Sequence, residues 1–142
     1  MKYLGDNLQT AVMVARECTM VQAGEPVIHI KATLTTECLQ ISYKYIPSPS
    51  GSIGSTSPLG AHNGNYCFAL DAHTFNLLRV HNLTLFEKVI HRAKVYARMA
   101  TEDKQYLVGS LQRIGYPNHF NCHKITAGFY LIQEFKSNKN HL

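Results

Sequence analysis

The stretch KVYARMATEDKQYLVGSLQRIG, Lys94 to Gly115, decides the fold class. Lys94-Val-Tyr-Ala97 reads as a buried strand. Directly after it the pattern changes to helical period, with Leu107, Leu111 and Ile114 forming an apolar stripe. Thr101 has the character of an N-cap, and Gly115 that of a C′ stop. The order is strand, polar loop, amphipathic helix. The beginning of the chain, LGDNLQTAVMVARE (Leu4 to Glu17), repeats it. There an acidic loop, Gly5-Asp6-Asn7, runs into a predicted helix over Leu8–Cys18, with Leu8, Ala11, Val12 and Ala15 at helical spacing. Asp6 or Asn7 can cap its first turn. Two such units predict an α/β sheet with crossover helices. Ligands of such sheets sit beyond the carboxyl ends of the strands, where both loops would fall.

Between these ends, Val27–Ile30 reads as a short strand and Leu39–Tyr45 alternates apolar and polar like a half-exposed one. Residues 47–65, PSPSGSIGSTSPLGAHNGN, have little to bury and read as a flexible insertion. Tyr66–Leu70 is a strand candidate, followed by helical patterns at Thr74–Arg79 and Thr84–His91. From Pro117 onward no clear period is visible, although Phe129–Ile132 could pair as a strand.

The composition is globular: 142 residues, 45% hydrophobic and 16% charged, enough for one domain with a core. The formal charge of +5 suits an anionic ligand, but the basic residues are scattered, with no run of the nucleic-acid or polybasic type. No apolar run reaches the length that crosses a bilayer, and Asp6 interrupts any signal-peptide core. No direct membrane insertion and a cytosolic setting are therefore expected. The four cysteines, Cys18, Cys38, Cys67 and Cys122, form no CxxC pair and read as free thiols.

Lys104 falls in the first turn of its predicted helix, where the macrodipole is positive and a cation is disfavoured by about 0.3–1 kcal/mol. A nearby phosphate or carboxylate would remove that penalty. The plainer reading is a solvated lysine balanced by Glu102 and Asp103. Asp6 is either a helix cap or a carboxylate beside a phosphate or its metal ion. Arg98 follows the buried strand and would face the same cleft as Lys104, or be a surface cation. His119, Cys122 and His123 have zinc-type donors, but a closed site needs four ligands and nothing local supplies the rest; no metal ligand is assigned. Neither a GxxxxGK[ST] loop nor a GxSxG elbow occurs. None of the three aspartates, Asp6, Asp71 and Asp103, is followed by Lys-Thr-Gly-Thr.

Taken together, GDNLQTAVMVAR (Gly5–Arg16) and VYARMATEDKQYLVGSLQ (Val95–Gln112) resemble two segments of the P-type ATPases. The likeness is to the type V branch, the cation- and polyamine-transporting 13A family. There the first segment reads Thr-Gly-Asp-Asn followed by xxTAxxVAR, and the second Phe-Ala-Arg-Met-x-Pro-x-Gln-Lys followed by Leu-Val and Leu-Gln. The intervening order also fits, and the resemblance runs from Gly5 to Tyr116. It implies part of a haloacid-dehalogenase-like, Rossmann-type phosphorylation domain over residues 1–116, interrupted by the insertion at about 47–65. By this likeness Lys104 matches the lysine that neutralises the phosphorylated aspartate. Gly5, Asp6 and Asn7 match the loop beside nucleotide and phosphate, and Arg98 an arginine on the nucleotide side. ATP and magnesium are the cofactors of the family.

The departures set the functional expectation. Leu4 stands where the family has threonine, and Thr101 and Asp103 replace the usual Pro and Gln. The chain lacks both the nucleophile sequence Asp-Lys-Thr-Gly-Thr and the magnesium motif Gly-Asp-Gly-x-Asn-Asp. Residues 117–142 resemble nothing in the family and are expected to be an unrelated tail, from an alternative exon, a retained intron or a mis-joined gene model. The resemblance thus implies a truncated piece of a pump, inactive alone, with no nucleotide chemistry assured. Its parent would sit in endosomal or lysosomal membranes, with this segment on the cytosolic face. Other readings are an anion- or nucleotide-binding module that associates with a full-length pump, and a small dehalogenase-type phosphatase. Loss of the segment that supplies the family's central strand is expected to leave strand edges unpaired.

Overall fold

The computed structural model describes residues 8–22, 24–46, 66–115, 120–126 and 129–134. The elements run α1 (Leu8–Glu17), β1 (Val27–Leu34), β2 (Leu39–Ile46), β3 (Cys67–Asp71), α2 (Ala72–His81), α3 (Leu83–Arg92), β4 (Ala93–Ala97), α4 (Thr101–Arg113), β5 (Phe120–Thr126) and β6 (Phe129–Glu134). The fold is the expected α/β class. Six strands form one mixed sheet in the order β2-β1-β3-β4-β6-β5. β1, β3 and β4 are parallel, and the outer strands on both sides are antiparallel to their neighbours.

Alternation along the strands divides the core in two. Ile28, Ile30, Phe68, Leu70 and Tyr96 face Phe75 and Leu78 of α2, Phe86 and Ile90 of α3, and Leu107 and Leu111 of α4. Val27, Cys67, Ala69, Val95 and Ala97 face Leu8, Ala11, Val12 and Ala15 of α1. The helices therefore lie on both sides of the sheet, and α2 with α3 forms the crossover between the parallel strands β3 and β4.

Several elements are longer than the sequence suggests. β1 reaches Leu34, paired with β2 from Val27↔Ile46 to Leu34↔Leu39. Thr35 closes this hairpin, its N–H donating to the Cys38 carbonyl at 2.9 Å. Beyond His29, β1 has no registered partner on β3. The Ala32 N–H is instead satisfied at 3.0 Å by the buried Thr74 hydroxyl of α2. α2 starts at Ala72 rather than Thr74, because the Asp71 carboxylate caps it by accepting the Thr74 N–H at 2.9 Å.

α1 ends in a Schellman turn: the Met20 N–H donates to the Ala15 carbonyl at 3.0 Å and the Thr19 N–H to Arg16 at 3.1 Å. The left-handed position of that turn is held by Thr19, with φ 59°, a conformation uncommon for a β-branched residue. Gly115, with φ +80°, follows α4 as expected.

At the amino end of the parallel strands, Glu25 is only 4% exposed. Its carboxylate accepts both oxygens' worth of hydrogen bonding from Lys94 Nζ, at 2.9 and 3.1 Å. It also accepts the Gln22 N–H at 3.0 Å, so the buried charge is paired and hydrogen-bonded.

The chain beyond Pro117 joins the same sheet. Phe129–Glu134 is the anticipated strand, and Phe120–Thr126 is one that the sequence pattern did not reveal. β6 pairs with β4 at Val95↔Leu131 and Tyr96↔Tyr130. β4 therefore has a partner on each side, and its edge is not left open as expected. The insertion at 47–65 lies outside the described residues.

Candidate functional site

The carboxyl ends of the parallel strands fall at Leu34, Asp71 and Ala97, with Asp71 in register with Ala97. The connection from β4 to α4 leaves this end through Arg98, Met99 and Ala100. Met99 is buried in the core while Arg98 is exposed, so the chain is anchored at one residue and presents the next to solvent. Arg98 has φ 60°. A left-handed conformation at a non-glycine residue costs on the order of 1 kcal/mol.

Helix α4 begins one residue earlier than its sequence suggests. Ala100, not Thr101, is the N-cap, and Thr101 is the first helical residue. Alanine has no side-chain acceptor, so the cap comes from Asp103: its Oδ2 accepts the Ala100 N–H at 3.0 Å. Its Oδ1 accepts Asn76 Nδ2 of α2 at 3.2 Å. Asn76 in turn accepts Arg79 Nε at 2.7 Å, and the Arg79 guanidinium lies 4.6 Å from the Tyr106 ring centroid on α4. This chain of contacts ties the first turn of α4 to α2. Lys104 is half-buried in that first turn, its N–H making the bond to the Ala100 carbonyl at 3.1 Å.

Arg98 and Lys104 are thus brought onto one strand-to-helix connection, at the positive end of the α4 dipole. Gly5, Asp6 and Asn7, the other residues matched to the phosphate-side loop, lie outside the described residues. The side chains of His119, Cys122 and His123 also lie outside them. Sequence reasoning missed Asn76 and Arg79, which carry no motif and act through the fold. Asp71 could have been found, since Asp71-x-x-Thr74 has the spacing of a helix cap.

The described residues do not assemble a magnesium site: no group of three or more His, Cys, Asp or Glu among them could hold a metal ion. The Asp71 carboxylate is engaged as a cap, and both Asp103 oxygens are occupied. The connection and the first turn of α4 carry two cations, Arg98 and Lys104, alongside two carboxylates, Glu102 and Asp103. No described helix is long and apolar enough to cross a membrane.

Over 79% of its length the chain is 39% identical to the polyamine-transporting ATPase 13A2 of Mus musculus. Over the same share it is 37% identical to the Homo sapiens polyamine-transporting ATPase 13A2, and 33% identical to the probable cation-transporting ATPase 13A4 of Mus musculus. The chain belongs to the 13A family of P-type ATPases. It spans about 10% of the length of each of these 13A relatives. No family model matches the chain.

Proposed function

We propose that this chain carries part of the phosphorylation domain of an ATP-driven cation or polyamine transporter, of haloacid-dehalogenase-like fold, and that alone it neither hydrolyses ATP nor transports. What carries the reading is the kinship to 13A ATPases at 33–39% identity over 79% of the chain, joined to the two ordered motifs GDNLQTAVMVAR and VYARMATEDK.

In this reading Lys104 neutralises an aspartyl phosphate, and the helix dipole reinforces it. Arg98 faces the nucleotide side, and Gly5, Asp6 and Asn7 flank the phosphate. ATP with magnesium would supply the phosphoryl group. Phosphoryl transfer works by positioning and charge neutralisation around a nucleophile and metal. The sequence contains neither Asp-Lys-Thr-Gly-Thr nor Gly-Asp-Gly-x-Asn-Asp. The 142 residues alone therefore hold the neutralising cation without the group it neutralises. The segment would lie on the cytosolic face of an endosomal or lysosomal membrane in such a transporter.

The test has two arms. The purified chain, incubated with Mg-ATP, releases no phosphate and forms no acyl phosphate. Gly5–Tyr116 grafted into the Mus musculus 13A2 ATPase, in place of the matching segment, supports ATP-dependent phosphorylation. Lys104→Ala in that graft lowers the phosphorylation rate by about a hundredfold or more, the scale of losing one preorganised charge contact. Turnover by the chain alone, or equal phosphorylation of the grafts with Lys104 and with alanine, overturns the proposal.

A further inference from the structure

A cavity of about 570 Å3 lies away from the β4–α4 connection, along the outer side of α3. Its floor is aromatic: Tyr43 of β2, Phe68 of β3, and Tyr66 just before β3. The rings touch in sequence, Tyr43 to Phe68 at 6.4 Å between centroids and Phe68 to Tyr66 at 5.5 Å. Tyr43 is 49% exposed, a large flat surface facing outward. The wall is α3, which contributes Lys88, His91 and Arg92, opposed by one carboxylate, Glu87. The fixed charges of the lining therefore sum to a cationic excess before His91 is counted. Ile114, at the far end of α4, closes one end. Ten residues of helix separate Ile114 from Lys104, about 15 Å at 1.5 Å per residue, so the cavity is distinct from the connection that holds Arg98 and Lys104.

Each part constrains the ligand. The Arg92 guanidinium lies 4.4 Å from the Tyr66 ring centroid. A guanidinium stacked on a ring donates in its own plane, the arrangement that suits planar or tetrahedral oxyanions. Lys88 is exposed on the same helix one turn earlier, and adds a point charge. An aromatic floor beside cations is the combination that holds a flat ring by stacking and its phosphate by charge. The volume falls in the range of about 300–1,000 Å3 typical of small-molecule sites.

We propose that this cavity binds a small aromatic phosphate of nucleoside-monophosphate size, its ring on Tyr43 and Phe68 and its phosphate on Lys88 and Arg92. The site does not depend on the reading of Lys104 as a phosphate-neutralising residue.

The full chain contains no tryptophan and eight tyrosines, so the intrinsic emission is tyrosine fluorescence, and the share that comes from Tyr43 and Tyr66 is identified by the difference from Tyr43→Ala and Tyr66→Ala. Titration with adenosine monophosphate is expected to quench it saturably. Lys88→Ala and Arg92→Ala should each weaken the affinity about tenfold or more, the worth of one charge-assisted contact. Tyr43→Ala should weaken it while removing part of the signal, so its affinity is read by calorimetry. Circular dichroism checks that each variant folds; Lys88 and Tyr43 are exposed, and neither anchors the core. Lys104→Ala leaves the affinity unchanged. Ribose 5-phosphate and inorganic phosphate compete at least tenfold more weakly, because they lack the ring. The proposal is overturned by any of three results. These are no saturable binding up to about 10 mM, loss of binding in Lys104→Ala with Lys88→Ala unaffected, or equal competition by ribose 5-phosphate.

Discussion

The two faces of the sheet differ in the size of what they bury. Under α2, α3 and α4 the core is built from Phe75, Phe86, Tyr96, Leu107 and Leu111. Phe75 meets Phe86, Tyr96 and Tyr106 edge-on, with centroids 5.1 to 6.3 Å apart. Under α1 the cluster contains no aromatic ring: Ala11, Ala15, Ala69 and Ala97 lie among Val12, Val27, Val95 and Cys67, with Leu8 and Ile46 the bulkiest buried members. One face is held by interlocked volume, the other by close approach of backbones over small side chains. The first should be injured by removing atoms and the second by adding them.

That asymmetry can be broken most directly with Phe75→Ala, expected to cost about 3–5 kcal/mol in a denaturant melt. Ala15→Leu, at a fully buried position in the last turn of α1, should cost about 1–3 kcal/mol through overpacking. If Phe75→Ala proves the milder of the two, the contrast between the faces is wrong.

Next in size is the tie between α2 and the first turn of α4. Asp103→Ala removes the cap on the Ala100 N–H and the bond to Asn76 together, an expected loss of about 1–2 kcal/mol. Restoring the usual family residue with Asp103→Gln should recover part of it. A Gln variant no better than Ala would mean that the carboxylate's charge, not its reach, holds the turn.

The α1 face also carries two titrating groups. Burial pulls the His29 imidazole below its ordinary 6.5; the Asp71 carboxylate opposes this and Lys31 and Lys44 add to it. The folded protein thus binds fewer protons at His29 than the unfolded chain. Its contribution is complete above pH 6.5 and is lost as pH falls through the folded value. Burial pushes the Cys67 thiol up to about 12 from 9.0, Glu25 assisting and Lys94 and Arg16 opposing. Its contribution is complete below pH 9 and fades as pH rises toward 12. Melting curves across pH should therefore fall on both sides. Replacing His29 with Gln should flatten only the acid limb, and Cys67→Ala only the alkaline one. The exposed Cys18 and Cys38 should alkylate at neutral pH while Cys67 resists.

The smallest expected effect is a gain. Thr19→Gly relieves a left-handed threonine in the Schellman turn and should raise stability by about 0.5–1 kcal/mol. No gain in Tm would show that the threonine side chain contributes more than its strain costs.

The sequence made the fold legible wherever periodicity was clean. Lys94–Ala97 and the helix stripe of Leu107, Leu111 and Ile114 identified the strand-to-helix unit, and residues 8, 11, 12 and 15 identified α1. It failed where satisfaction is non-local. The far half of β1 depends on β2 across a hairpin and on Thr74, 42 positions away. β5 is stabilised by pairing with β6, and its sequence FNCHKIT shows no clean alternation. At the candidate site, Arg98 and Lys104 could be placed from the pattern alone. Asn76 and Arg79 could not, because their role is fixed by which helices meet rather than by any local motif.

The seam between β4 and β6 has a dynamic consequence. β5 and β6 register with each other from Phe120↔Glu134 to Thr126↔Phe129, whereas β6 registers with β4 at only Val95 and Tyr96. The hairpin is more extensively joined to itself than to the sheet. It should behave as its own cooperative unit in native-state hydrogen exchange, opening as a group at lower free energy than β1 and β3. Each opening would bare the edge of β4 to any strand able to pair with it.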